Sequence, residues 1–240
     1  MGGHPLLARW TDQFDCGYET NWWYVIKEKP YDPETLSSGA RKHIRQALKK
    51  CCVRQIDPEA YVEQMYACYT TAHQRYKNGS AAESYEQFRK SCLQRRNGRI
   101  FWAGFTADTE QLIGYMIVYE KDIYVEIAAA KFHAEYLRYC VSDAIYAMIL
   151  QYYLNERGYR YVSSGERNIN HQTNTQEYKI RRFGYRKAYC KLNIAYAPKV
   201  RWLIGLLYPF RKLLRVFDRI GMVHMLNAVL KMEEIRRKQV

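Results

Sequence analysis

No stretch of this 240-residue chain reaches the roughly 18 apolar residues that a membrane-spanning helix requires. The first residues, MGGHPLLARWTDQFD, lack the basic start and long apolar run of a secretion signal, and Leu6 stands where a myristoylation motif wants Ser or Thr. The expectation is therefore a cytoplasmic protein. The seven cysteines are an odd number, and none falls in a CxxC or His-rich spacing that would build a zinc site. Reduced thiols and no metal are the resulting expectations. A P-loop, a dinucleotide-binding glycine fingerprint and a nucleophilic triad are missing too, as are internal repeats and low-complexity segments.

The chain is rich instead in positive charge. A hydrophobic share of 48% is ordinary for a globular protein and enough to build a core. The net charge of +14 is not ordinary, and it points to a polyanionic partner: a phosphorylated cofactor, nucleic acid or an acidic membrane surface.

Along the chain, WWYVIK (residues 22–27) is aromatic and β-branched and stops before Pro30, which reads as a strand. In LSSGARKHIRQALKK, Ile44, Ala47 and Leu48 recur at helical spacing while Arg41, Arg45 and Lys49 form a cationic stripe. CVRQI (52–56) is a short strand. Asp57 as cap and Pro58 at the first position start a helix over residues 58–76, and another is expected over about 82–95. RIFWAGFT, QLIGYMIVYE and DIYVEIAAA then form an antiparallel meander. A long helix from Ser142 ends at Gly158, followed by the strand YRYVSS, a polar loop, a basic helix that stops at Gly184, and a final strand in which Ala188, Cys190, Leu192 and Ile194 alternate with polar residues. This order predicts an α/β or α+β layer with a partly antiparallel sheet.

After Pro198 two amphipathic helical runs hold ten Lys/Arg against three Asp/Glu. The predicted division is a domain over residues 1–197 and a basic helical tail over 198–240. Such a tail suits an anionic membrane surface; packing on the domain, or a homodimer contact, is the competing use.

Three stretches carry a resemblance: LSSGARKHIRQALKKCCVRQI, YCVSDAIYAMILQYYLNERGYRYVSSG and EYKIRRFGYRKAY. In this order they resemble the GNAT superfamily of N-acyltransferases, within it the FemAB-like branch, over roughly residues 22–196. Tyr178 stands where the branch's F-K-x-x-F-G pattern usually has Phe, and the loop AKFHAEYLRYCVSD lacks the glycines that usually hold coenzyme A pyrophosphate. Typical FemAB proteins carry two such domains, and this chain has room for one.

The resemblance implies transfer of an acyl group from an acyl-CoA to the amino group of a cell-envelope or sugar-linked acceptor, at the inner membrane face if the tail docks there. Such chemistry needs a base for the amine proton, an acid for the departing thiolate and a donor to the carbonyl oxygen. Glu126 on DIYVEIAAA is the first base expected, its competing role being a solvent-facing or lysine-paired strand residue. Glu166 and His171 follow the next strand, where α/β sheets place ligands; either also suits a loop cap. Tyr178 and Tyr185 are the candidates for the acid, their competing role being packing or substrate stacking. Lys131, Arg138, Ser142 and Lys179 are the residues expected at the cofactor phosphates, and Arg41, Arg45 and Tyr185 those facing the acceptor. An alternative of another class is a non-catalytic RNA- or tRNA-binding module, and an aminoacyl-tRNA-dependent FemAB-type transferase is a third reading.

Overall fold

The computed structural model describes residues 5–75, 81–94, 98–169, 174–218 and 220–239. In chain order the elements are β1 (Leu7–Asp12), β2 (Trp22–Glu28), α1 (Ser38–Lys50), β3 (Cys51–Ile56), α2 (Pro58–His73), α3 (Tyr85–Gln94), β4 (Arg99–Thr106), β5 (Leu112–Glu120), β6 (Tyr124–Phe132), α4 (Val141–Leu150), β7 (Tyr161–Glu166), α5 (Thr175–Phe183), β8 (Arg186–Tyr196), α6 (Pro198–Leu207), α7 (Arg211–Leu214) and α8 (Gly221–Arg237). The fold is mixed α/β with a mostly antiparallel strand arrangement, as expected from sequence.

The chain divides into two compact units, the larger comprising residues 26–165 and 177–186 and the smaller residues 1–25, 166–176 and 187–240. In the larger unit the strand order is β7-β6-β5-β4-β3. Only β6 and β7 pair in parallel; β3 through β6 form the predicted antiparallel meander. Local chemistry starts α1 and α2. The Ser37 hydroxyl accepts from the Ala40 amide at 3.2 Å to begin α1, and Asp57 accepts from Glu59 at 3.1 Å to begin α2, with Pro58 needing no donor partner there. The helices then bury one stripe each: Ala40, Ile44 and Ala47 from α1, and Val62, Met65 and Cys68 from α2. The α2 stripe meets Phe88, Phe101, Phe105 and Leu112 in the main core cluster; each such aromatic or aliphatic side chain contributes roughly 1.5–3 kcal/mol of burial.

Helix α4 sits on the sheet through a close approach. A Cβ on Gly104 would lie 2.3 Å from Val141 Cγ2, and one on Gly114 3.1 Å from the other Val141 methyl, so the first residue of α4 rests where two strands lack side chains. Beyond Leu150 the helix widens into one π-helical turn, Gln151–Glu156, in which Tyr153 and Leu154 are again buried, before Gly158 (φ 70°) ends it.

The smaller unit has the strand order β1-β8-β2, with β1 antiparallel to β8 from Leu7↔Tyr196 to Asp12↔Lys191. Its core joins Trp22, Cys190 and Leu192 to Met232 and Ile235 of α8. Glu233, buried in the same helix, accepts from Tyr196 at 3.1 Å and from Arg236 and Arg237 at 2.7 Å. Burial raises its carboxyl pKa and these bonds outweigh it, so the net direction is downward.

Candidate active site

Strand β6 pairs with β7 over three positions only, Tyr124↔Tyr161, Val125↔Val162 and Glu126↔Ser163, whereas on its other side it stays paired with β5 to Phe132. The two parallel neighbours therefore part at Glu126 and Ser163. Just past that point β6 carries an extra residue: Val118 faces Ile127 and Ile117 faces Ala129, leaving Ala128 as a bulge. On the β7 side Gly165 takes φ 90°, a conformation a side chain resists. The opening is thus bounded by the backbone of residues 127–129 on one side and by Ser163, Ser164 and Gly165 on the other.

Lys179 of α5 reaches this opening from the interior. Its Nζ donates to the Ser164 carbonyl at 3.2 Å and lies 5.8 Å from the centre of the Tyr146 ring, with 7% of the residue exposed. Burial penalises the ammonium and lowers its pKa to about 8. The Ser164 hydroxyl is buried beside it with no hydrogen-bond partner.

The next turn of α5 is tied to the start of α4. The Tyr178 hydroxyl donates to the Asp143 carboxylate and approaches the Ser142 hydroxyl at 3.2 Å, while Arg182 Nε lies 3.7 Å from the same carboxylate. Asp143 is 3% exposed, so these two partners carry a buried anion. Burial, reinforced by that carboxylate, holds the Tyr178 phenol far above its ordinary pKa. Tyr146 is pushed up to about 12 and Tyr31 to about 12 by burial, and Tyr185 is raised for the same reason. The Tyr31 and Tyr185 hydroxyls are buried without partners.

Among the residues predicted from sequence, the structure brings Glu126 to the fork of β6 and β7, half-buried, and gathers Ser142, Tyr178 and Lys179 at the α4–α5 contact. Lys179, expected at the cofactor phosphates, is buried and donates to a backbone carbonyl, and Tyr185, expected to face the acceptor, is 3% exposed. Lys131 lies 5.5 Å from the Tyr69 ring centre and Arg138 5.6 Å from that of Tyr139. Arg41 donates to the Glu34 and Leu36 carbonyls at 2.8 and 3.0 Å, and Arg45 pairs with the Glu34 carboxylate at 2.7 Å. Glu166 belongs to the smaller unit, ion-paired with Arg9 and 3.5 Å from the Tyr24 hydroxyl. His171 lies outside the described residues. Sequence reasoning missed Asp143 and Ser164; the one signal for Asp143 was an acid in the first turn of an otherwise apolar helix.

His43, Cys140 and Asp143 offer one ligand atom each within 4.8 Å of one another. The Asp143 carboxylate there already serves Tyr178 and Arg182, and His43 is exposed.

No family model matches the chain, and no curated protein matches it in sequence. Solved structures do match in fold. FemX superimposes with a TM-score of 0.58 at 8% identity, over 78% of this chain and 64% of that one. L-PGS from Bacillus licheniformis gives 0.53 at 12% identity, over 79% and 61%. The C-terminal domain of a putative lysylphosphatidylglycerol synthetase from Agrobacterium fabrum gives 0.50 at 11%, over 84% and 65%. The chain thus spans 61% to 65% of the length of these structures. The chain therefore shares its fold with FemX and with these two synthetase structures.

Proposed function

We propose that the larger unit is an acyl-group transferase that seats the donor's activated carbonyl in the opening between β6 and β7. The observation that carries this reading is the parted strand pair with a bulge on one side and the Lys179 ammonium fixed on the other. Backbone N–H groups of a strand released from its partner can face the oxygen on which charge develops. An ammonium that titrates near about 8 holds a transferable proton close to neutrality, which suits protonation of the leaving group or support of the oxyanion. Glu126, at the fork, is the base that takes the amine proton, directly or through a water. Tyr178 in this reading positions Asp143 and α4 and does not donate the proton, because its phenol is buried and committed. The acceptor is an amino group on a cell-envelope or sugar-linked precursor, and an acyl-CoA is the first donor.

A second donor, an aminoacyl ester of tRNA, is favoured by one observation. The segment leading into α4 has no glycine, its Cys140 carbonyl takes the amides of Asp143 and Ala144 at 2.8 and 3.4 Å, and the Asp143 carboxylate occupies the first turn. A helix N-terminus with its own buried anion is a poor cradle for a pyrophosphate.

Donor-dependent thermal stabilisation separates the two. Saturable stabilisation by acetyl-CoA supports the thioester; stabilisation by charged tRNA and not by uncharged tRNA supports the ester. With the effective donor, Glu126→Gln should lower single-turnover transfer by roughly 10²–10⁴-fold. Binding of both charged and uncharged tRNA with no transfer, or an unchanged rate in Glu126→Gln, would refute the mechanism.

A further inference from the structure

We infer that the region from α6 to the start of α8, within the smaller unit, is a docking surface for an anionic membrane. Ten of the seventeen exposed large apolar side chains among the described residues lie between Trp202 and Met225. Trp202 is 72% exposed, Phe210 55%, Leu213 61%, Val216 74% and Met222 83%. A helix that folds by covering a core buries a continuous stripe, yet α6 buries only Ile204 and α7 buries nothing. Exposed apolar surface concentrated in this way marks an interaction site, not ordinary scatter.

Charge identifies the partner. Residues 198–225 hold six Lys/Arg and one Asp. The single acid, Asp218, is occupied by Asn227 at 2.8 Å and His224 at 3.0 Å, and Lys199, Arg201 and Lys212 have no acidic partner among the described residues. These cations stand beside the apolar groups in sequence: Arg201 next to Trp202, and Lys212 next to Leu213. The centre of a protein–protein contact is depleted of lysine, whereas an anionic lipid surface accepts apolar groups among the acyl chains and cations at the headgroups together. The geometry is one of lying flat. No helix among the described residues is long and apolar enough to cross a membrane, and the 10 residues of α6 extend about 15 Å, half of a ~30 Å hydrocarbon core.

The test uses the full chain with vesicles of phosphatidylcholine alone and of phosphatidylcholine with phosphatidylglycerol. The chain should cosediment with the anionic vesicles and not with the neutral ones. L206E/F210E/L213E, which alters exposed positions, should lower the bound fraction by about tenfold or more, and K199E/K212E should do so at low salt and less at high salt. Circular dichroism and thermal melting establish that both variants fold. Absence of binding to anionic vesicles overturns the inference. So does a wild-type dimer in light scattering that L206E/F210E/L213E dissolves without vesicle binding, since the face would then join two copies of the chain.

Discussion

Replacing Lys179 by Met should make the protein more stable at neutral pH and remove its transfer activity. The reasoning starts from desolvation. The folded ammonium titrates at about 8 and an exposed lysine at 10.5, so holding the charge inside costs about 3 kcal/mol at ~1.36 kcal/mol per pH unit. Methionine fills a similar volume without charge, and the Ser164 carbonyl loses a donor worth about 1 kcal/mol. The net gain at pH 7 is about 1–3 kcal/mol, within the range found when buried charges are replaced by apolar groups. The pH dependence has a definite sign. Below about 8 both folded and unfolded chains hold the proton and the penalty is constant. Between about 8 and 10.5 the unfolded chain holds more proton than the folded one, so wild-type stability rises relative to the variant and the variant's advantage shrinks. Urea denaturation of both proteins at pH 7, 8.5 and 10 measures this difference, and a transfer assay on the same preparations reports activity. A Lys179→Met protein that is less stable at pH 7, or one that keeps full activity, refutes the placement of a functional cation at the opening.

Two further substitutions probe the same unit. Tyr178→Phe removes a donor from the buried Asp143 carboxylate and should cost about 1–3 kcal/mol in urea denaturation; a change under about 0.5 kcal/mol would show that Arg182 alone suffices. Gly184 adopts φ 67°, and a Cβ there would come within 3.3 Å of Leu36 Cδ2, so Gly184→Ala should cost about 1–2 kcal/mol and Gly184→Asn less, since Asn tolerates the left-handed region better. Equal stability for all three residues would remove strain at the hinge as its reason.

Periodicity and caps sufficed for most of the larger unit. Ser37, Asp57 and Pro58 start helices as their chemistry requires, and β4–β6 alternate with turn residues between them. Strand β1 was not predicted, because LARWTD is mostly exposed and owes its conformation to pairing with β8. The site was harder to read for a physical reason. In sequence Lys179 is one cation in a basic helix, and only packing of α5 against α4 and β7 decides that it points inward. Asp143 likewise gains meaning from Tyr178 and Arg182, 35 and 39 positions further along the chain. Glu126 stands out in the sequence because strand alternation and one acid among apolar neighbours are local signals.

The π-helical turn after α4 acts as a phase adjuster. Val141 at the start of the helix rests on Gly104, and Tyr153 beyond the start of the wide turn accepts from the Trp102 indole at 3.4 Å, so two points along one helix are keyed to a single strand. Each added residue rotates the remainder of the helix by about 100°, so the number of residues between Val141 and Tyr153 sets whether both points meet β4. A one-residue deletion between Leu150 and Tyr153 would therefore set the two ends against each other: either Tyr153 leaves Trp102, or the first turn with Asp143 rotates away from α5. Length changes far from the opening would then be felt there as misalignment.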